Sequence, residues 1–178
     1  MQHKGAPVNP GEAGVAYRIA FITDLFNGPS DTKESEEFLQ DALVFLTKVD
    51  MRYLRMHPNT PLLHQSGVRY REENVGDEDW QDIPSCLRTG WADCEDLACW
   101  RAAELNVRQG IKAIPILSRR TLPNGNVVYH IRVKYPNPDG SGNAIIEDPS
   151  RDLGMTGPSN SLPYGAVIGT LRNLFRRA

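Results

Sequence analysis

The chain has no apolar run approaching the ~18 residues of a membrane-crossing helix. Its first residues, MQHKGAPVNPGEAG, carry no continuous apolar stretch of the kind a secretory signal needs. Both absences lead to the expectation of a cytoplasmic protein with no membrane partner. Excess charge is also lacking: 20 Lys and Arg against 22 Asp and Glu leave a formal net charge of -2 at pH 7. No global basic field therefore argues for a nucleic-acid partner. The short basic group Arg172, Arg176 and Arg177 suits the last turn of a helix. Cysteine is scarce. Cys86, Cys94 and Cys99 are an odd number, which argues against a disulfide framework. Their spacing contains no Cys-x-x-Cys knuckle and no closely spaced histidine pair follows, which argues against structural zinc. Internal repeats and low-complexity blocks are absent as well.

What is present fits one folded domain. The chain has 178 residues, 40% hydrophobic and 24% charged. Residues 1–14, rich in Gly and Pro, read as a flexible N-terminus, and residues 15–178 as a single domain. Val15 to Phe26 is enriched in β-branched and aromatic residues and is expected to be a strand. A long helix follows. Asp31 and Glu34 have capping-box spacing, and Phe38, Ala42, Phe45, Val49 and Tyr53 recur at helical intervals. Leu39, Leu43, Leu46 and Leu54 widen that stripe, and His57-Pro58 stops it. Residues 59–90 show few periodic apolar positions and read as surface loop, with a short helix around Asp79 to Leu87 and a solvated acidic run from Glu72 to Asp79.

The second helix is expected from Cys94 to Gln109, with Asp93 as cap, Asp96 in the first turn and Gly110 beyond the end. Leu97, Ala98, Arg101 and Leu105 share one side of it. A β-meander then begins: Lys112 to Ser118, an Asn124-Gly125 turn, Asn126 to Tyr135, a turn through Asp139, and Asn143 to Asp148. A last helix is expected over Tyr164 to Arg177. Helices followed by antiparallel strands make the class α+β.

Three residues carry chemistry. On the middle strand the alternation puts Tyr129, Ile131 and Val133 on the core face and His130, Arg132 and Lys134 on a polar face. A hairpin centred on Asp139 would set His130 opposite Asp148, with Cβ atoms about 4.5–5.5 Å apart. The aspartate could then accept the Nδ1 proton and fix the imidazole tautomer. A one-residue slip would separate them to opposite faces. Cys94 opens a helix whose dipole favours thiolate, while Asp93, Glu95 and Asp96 disfavour it. An imidazolium held by an aspartate would supply the missing cation, so Cys94, His130 and Asp148 read as nucleophile, base and orienter. Cys86 and Cys99 read as structural.

At GWADCEDLACWRAAEL, YHIRV and IEDPS the sequence resembles the transglutaminase-like superfamily of papain-fold thiol enzymes. Gly90, Asp93, Cys94, Asp96, Leu97 and Ala98 match its cysteine signature, and His130 and Asp148 follow in the triad's chain order. The likeness covers about Tyr70 to Arg151. It implies a central helix carrying the cysteine, packed on an antiparallel sheet carrying His and Asp. The chain lacks the β-sandwich domains of the animal enzymes and is similar to free-standing catalytic cores of bacteria and their tailed phages. The DCED run is similar to bacterial transglutaminase-like cysteine proteinases, in which the flanking acids can hold calcium, here Asp93 and Glu95. Those acids equally suit a helix's first turn, so the expectation is no cofactor and no tightly held metal.

The leading reading is a cysteine protease or amidase acting on a peptide or protein substrate through a Cys94 acyl-enzyme. The Cys94 N–H is the natural oxyanion donor, with Trp80 and Trp91 as candidates for a second. Two alternatives stand beside it: a protein-glutamine transglutaminase, and a non-enzymatic binding or virion assembly protein that keeps the fold.

Overall fold

The computed structural model describes residues 33–73, 79–121, 127–138 and 140–156. The segments expected to be a flexible N-terminus (1–14), a strand (15–26), the Asn124-Gly125 turn and the final helix (164–177) lie outside them, as do Asp139 and most of the acidic run.

The first helix, α1, spans Lys33–Met56 and stops where the sequence requires, at His57-Pro58. Its buried side is narrower than the periodic stripe and displaced from it. Leu43, Leu46 and Leu54 are buried, whereas Phe45 is 48% exposed. The leucines, offset by about one position from the Phe38 to Tyr53 series, face the core. Asp50 is buried with them and accepts the Ile83 N–H on Oδ1 at 3.0 Å. That bond fixes the start of α2, Ile83–Thr89, which Asp82 caps by accepting from the Ser85 N–H.

Within 59–90 the expected short helix is present as α2, but the described residues around it are not the surface loop that their composition suggests. Leu63, Val68, Ile83 and Cys86 are all buried in the core. They come from short pieces: a 3-10 turn at Leu63–Gln65, the strand β1 at Arg69–Tyr70, and α2. Pieces this short have no period to read. β1 pairs in parallel with β2, Trp91–Ala92, placing Tyr70 beside Ala92.

The helix α3 spans Cys94–Gln109, and Gly110 takes the left-handed conformation (φ 66°) of a helix stop. Its burial is wider than one side: all residues from Glu95 to Leu105 except Arg101 are buried. Helices with apolar residues all round belong in the middle of a fold. One cluster on α3 joins Leu97, Trp100 and Ala103 to Leu54, Leu63, Val68 and Ile83. A second joins Ala98, Cys99, Ala102 and Leu105 to Leu43 and Leu46 of α1 and to Ile131 and Val133 of the sheet.

That sheet is antiparallel, in the order β3 (Ile114–Thr121), β4 (Val127–Pro136), β5 (Ala144–Glu147). Pro149–Asp152 forms the short helix α4. The class is α+β. No helix among the described residues is long and apolar enough to cross a membrane.

Candidate active site at the start of α3

β4 and β5 pair with Pro136 opposite Ala144 and Val133 opposite Glu147. The connecting loop is therefore Asn137 to Asn143, closed by the Asn137 N–H donating to the Asn143 carbonyl at 3.0 Å, with Gly140 and Gly142 at positive φ. Its centre is Gly140, not Asp139. The register is two residues away from the expected one; carried one position past Glu147, where β5 ends, it sets Asp148 level with Arg132 instead of His130. Because the side-chain period is two, a shift of two preserves the face. Asp148 becomes the diagonal neighbour of His130, still within reach of a side chain.

The two do meet: His130 Nε2 lies 2.9 Å from Asp148 Oδ2. The nitrogen differs from the expected Nδ1. With Nε2–H donating to the carboxylate, Nδ1 is left with its lone pair. Asp148 is the N-cap residue of α4, and its Oδ2 reaches His130. Arg151 Nε stands 3.5 Å from the same oxygen. Burial pushes the Asp148 carboxyl up, but the His130 ring and Arg151 outweigh it and hold it below the usual carboxylate range. His130 itself is 4% exposed, so its strand face is covered and is not the solvated polar face that alternation implied. Its β3 partner Ser118 is buried too and accepts a hydrogen bond from Arg132 at 3.0 Å.

One residue upstream, Glu147 is gripped from α3. Arg101 Nε and Nη2 donate to its two carboxylate oxygens at 2.7 and 3.2 Å, and Arg101 Nη1 donates to buried Glu104 at 2.8 Å. This fork ties the end of β5, and with it Asp148, to the cysteine helix.

Cys94 is the first residue of α3 and is partly exposed. Asp96, at the third helical position, reaches back to accept the Asp93 N–H on Oδ2 at 3.4 Å and takes the Gln81 N–H on Oδ1 at 2.7 Å. These bonds brace the turn that presents the thiol. Burial raises the Cys94 thiol well above its ordinary range, the carboxylates of Glu95 and Asp93 add to the rise, and the Ile131 backbone N–H opposes them. That amide belongs to the residue next to His130, so the sulfur sits against β4. β5 pairs with β4 only from Val133 onward. The thiol donates to Glu95 Oε2 at 3.3 Å and makes no hydrogen bond to His130.

Glu95 is the contact that the sequence reading missed. Its adjacency to Cys94 was visible, but consecutive helical residues do not face each other by rule. Its carboxyl, 6% exposed as a residue, is pushed up to about 7, first by burial. Asp96 is raised as well, by burial and by Asp93. Carboxylate oxygens of Asp93, Glu95 and Asp96 lie within 4.8 Å of one another. Calcium takes six to eight oxygens. Among the described residues this set supplies three carboxylates, and both oxygens of Asp96 already accept backbone N–H groups.

Trp80 packs against the cluster that holds Cys94, and Trp91 lies under the Arg71 guanidinium, 3.4 Å from its ring centroid. Cys86 and Cys99 are fully buried, with Cys99 Sγ donating to the Leu43 carbonyl at 3.3 Å. No family model matches this chain, and neither a curated protein nor a solved structure matches it.

Proposed function

We propose that this chain is a thiol enzyme that opens an amide bond through an acyl-enzyme on Cys94. The observation that carries the reading is the part-buried 2.9 Å pair of His130 Nε2 and Asp148 Oδ2, one residue from the backbone amide that faces the Cys94 sulfur. A buried His-carboxylate pair fixes one tautomer and leaves one ring nitrogen as a base. The transglutaminase-like resemblance, which rests on the residues quoted above, supports the same assignment.

In this reading the resting cysteine is a neutral thiol, because burial and two carboxylates disfavour thiolate. The thiol turns from Glu95 toward Nδ1 of His130. Nδ1 takes the proton as sulfur attacks the carbonyl carbon, and Asp148 stabilises the imidazolium. The Cys94 N–H, at the start of α3, faces the developing oxyanion. His130 then returns the proton to the departing amine. Water, activated by His130, hydrolyses the thioester; an amine in its place would make the same intermediate a crosslinking one.

A second reading has an observation of its own. The thiol is bound to Glu95 and its acidity is suppressed, which suits a binding or assembly protein with an unreactive cysteine. Labelling with iodoacetamide separates the two. The enzyme reading expects Cys94 to react faster than Cys86 and Cys99 and to slow sharply in His130→Ala. Equal, slow labelling of all three cysteines would leave only the binding protein.

A further inference from the structure

We propose that Arg71, stacked on Trp91, is a subsite for a carboxylate of the substrate, either an acidic side chain or a peptide chain end. This rests on the reading of Cys94 as the reacting residue. Three observations carry it. The first is position. The Arg71 N–H donates to the Ala92 carbonyl at 2.9 Å, extending the β1–β2 pairing to within two residues of Cys94.

The second is preorganisation. The guanidinium lies 3.4 Å over the Trp91 ring centroid. A flat guanidinium held on an indole keeps its N–H edges turned outward, in the fork that matches a carboxylate. The third is charge. The groups built in around the thiol, Asp93, Glu95 and Asp96, are acidic and buried. Arg71 is exposed and, among the described residues, its guanidinium forms no ion pair. The stack stands on the strand that leads from Trp91 through Ala92 and Asp93 into Cys94, and in this proposal a peptide lying across the thiol meets it with a neighbouring residue. Trp91 thereby acquires a role different from oxyanion donation: it is the shelf that holds the arginine.

The test follows the full chain, 15N-labelled, by NMR. The Arg71 Nε–H and Trp91 indole N–H signals are assigned by their loss in Arg71→Gln and Trp91→Phe. The probes are N-acetylaspartate amide, with a side-chain carboxylate, N-acetylglycine, with a chain-end carboxylate, and N-acetylasparagine amide as neutral control. Saturable shifts of both signals with either acidic probe, weakened by added salt and absent with the neutral one, are expected. The responding probe identifies the source of the carboxylate. No shift, or equal shifts with the neutral probe, overturns the proposal. An independent arm compares alkylation of Cys94 by iodoacetate and by iodoacetamide. Arg71→Gln is expected to lower the iodoacetate to iodoacetamide rate ratio about fivefold, the scale of an exposed charge pair. An unchanged ratio in a folded variant overturns it. A Cys94 unreactive to both reagents sinks the nucleophile reading instead, while the resonance titration still decides the subsite.

Discussion

His130 and Asp148 hold each other at 2.9 Å although the strand register offsets them by two residues. The meeting depends on Asp148 leaving β5 at the cap of α4. It also depends on Arg101, which pins the preceding Glu147 to α3.

Cys94→Ser tests catalysis against packing. The hydroxyl can donate to Glu95 as the thiol does, and serine is well tolerated near a helix start. The variant is expected to lose turnover and all alkylation at position 94, with a stability change under about 1 kcal/mol. Thermal melting and mass spectrometry of the labelled peptide measure both. Undiminished turnover would remove Cys94 from the mechanism.

Asp148→Asn tests the orienting role. Asparagine keeps the shape but loses the charge that stabilises an imidazolium, so Cys94 alkylation is expected to fall by tenfold or more, on the order of the losses seen for misoriented bases. The folded-state carboxyl is held below the unfolded value of about 3.9. Its contribution is therefore present above pH ~4 and is lost as pH falls through the lower, folded value. The stability gap between wild type and Asp148→Asn should stay level above about pH 5 and close on acidification. A gap that widens in acid would contradict this sign.

Glu95→Gln has the opposite sign. Glu95 titrates at about 7 in the folded chain, above the unfolded value of about 4.3. Between these values the folded state binds more protons, so wild-type stability falls as pH rises and levels off above the folded value. Glutamine cannot ionise. Urea unfolding from pH 4 to 8 should show the variant gaining on wild type across that window and running parallel beyond it. Removing the carboxylate beside the sulfur should also speed Cys94 alkylation at neutral pH. Parallel curves throughout would mean that Glu95 ionises freely.

Arg101→Met tests the anchor. It takes the Arg101 guanidinium from Glu147 and from Glu104, which is 0% exposed and keeps Arg108 at 3.8 Å. Loss of charged hydrogen bonds of this kind costs about 1.5–3 kcal/mol, seen as a lower urea midpoint. Cys94 alkylation should slow as well, because the end of β5 carries Asp148. Wild-type stability in this variant would show that the fork is dispensable.

Much of the molecule was legible because it is written locally. The limits of α3 follow from Asp93, Asp96 and Gly110, and the end of α1 from His57-Pro58, since caps and breakers act within a turn. The position of Cys94 at a helix start, and the parity that keeps His130 and Asp148 on one face, came from the same short-range patterns.

Tertiary structure decided what depends on distant partners. The seven residues between β4 and β5 fit either register by length; the positive φ of Gly140 and Gly142 and the closing bond from Asn137 to Asn143 select the one adopted. That selection made Asp148 a diagonal neighbour, and the geometry gave it Nε2. Burial of His130, the grip of Arg101 across 46 positions, and the pairing of β1 with β2 have no local period to betray them. The sequence by itself determined which side chains could do chemistry and which face each strand residue takes. Only the packing of α3 against the end of β5 decided their neighbours, because hydrogen-bond partners far apart in the chain are chosen by the fold as a whole.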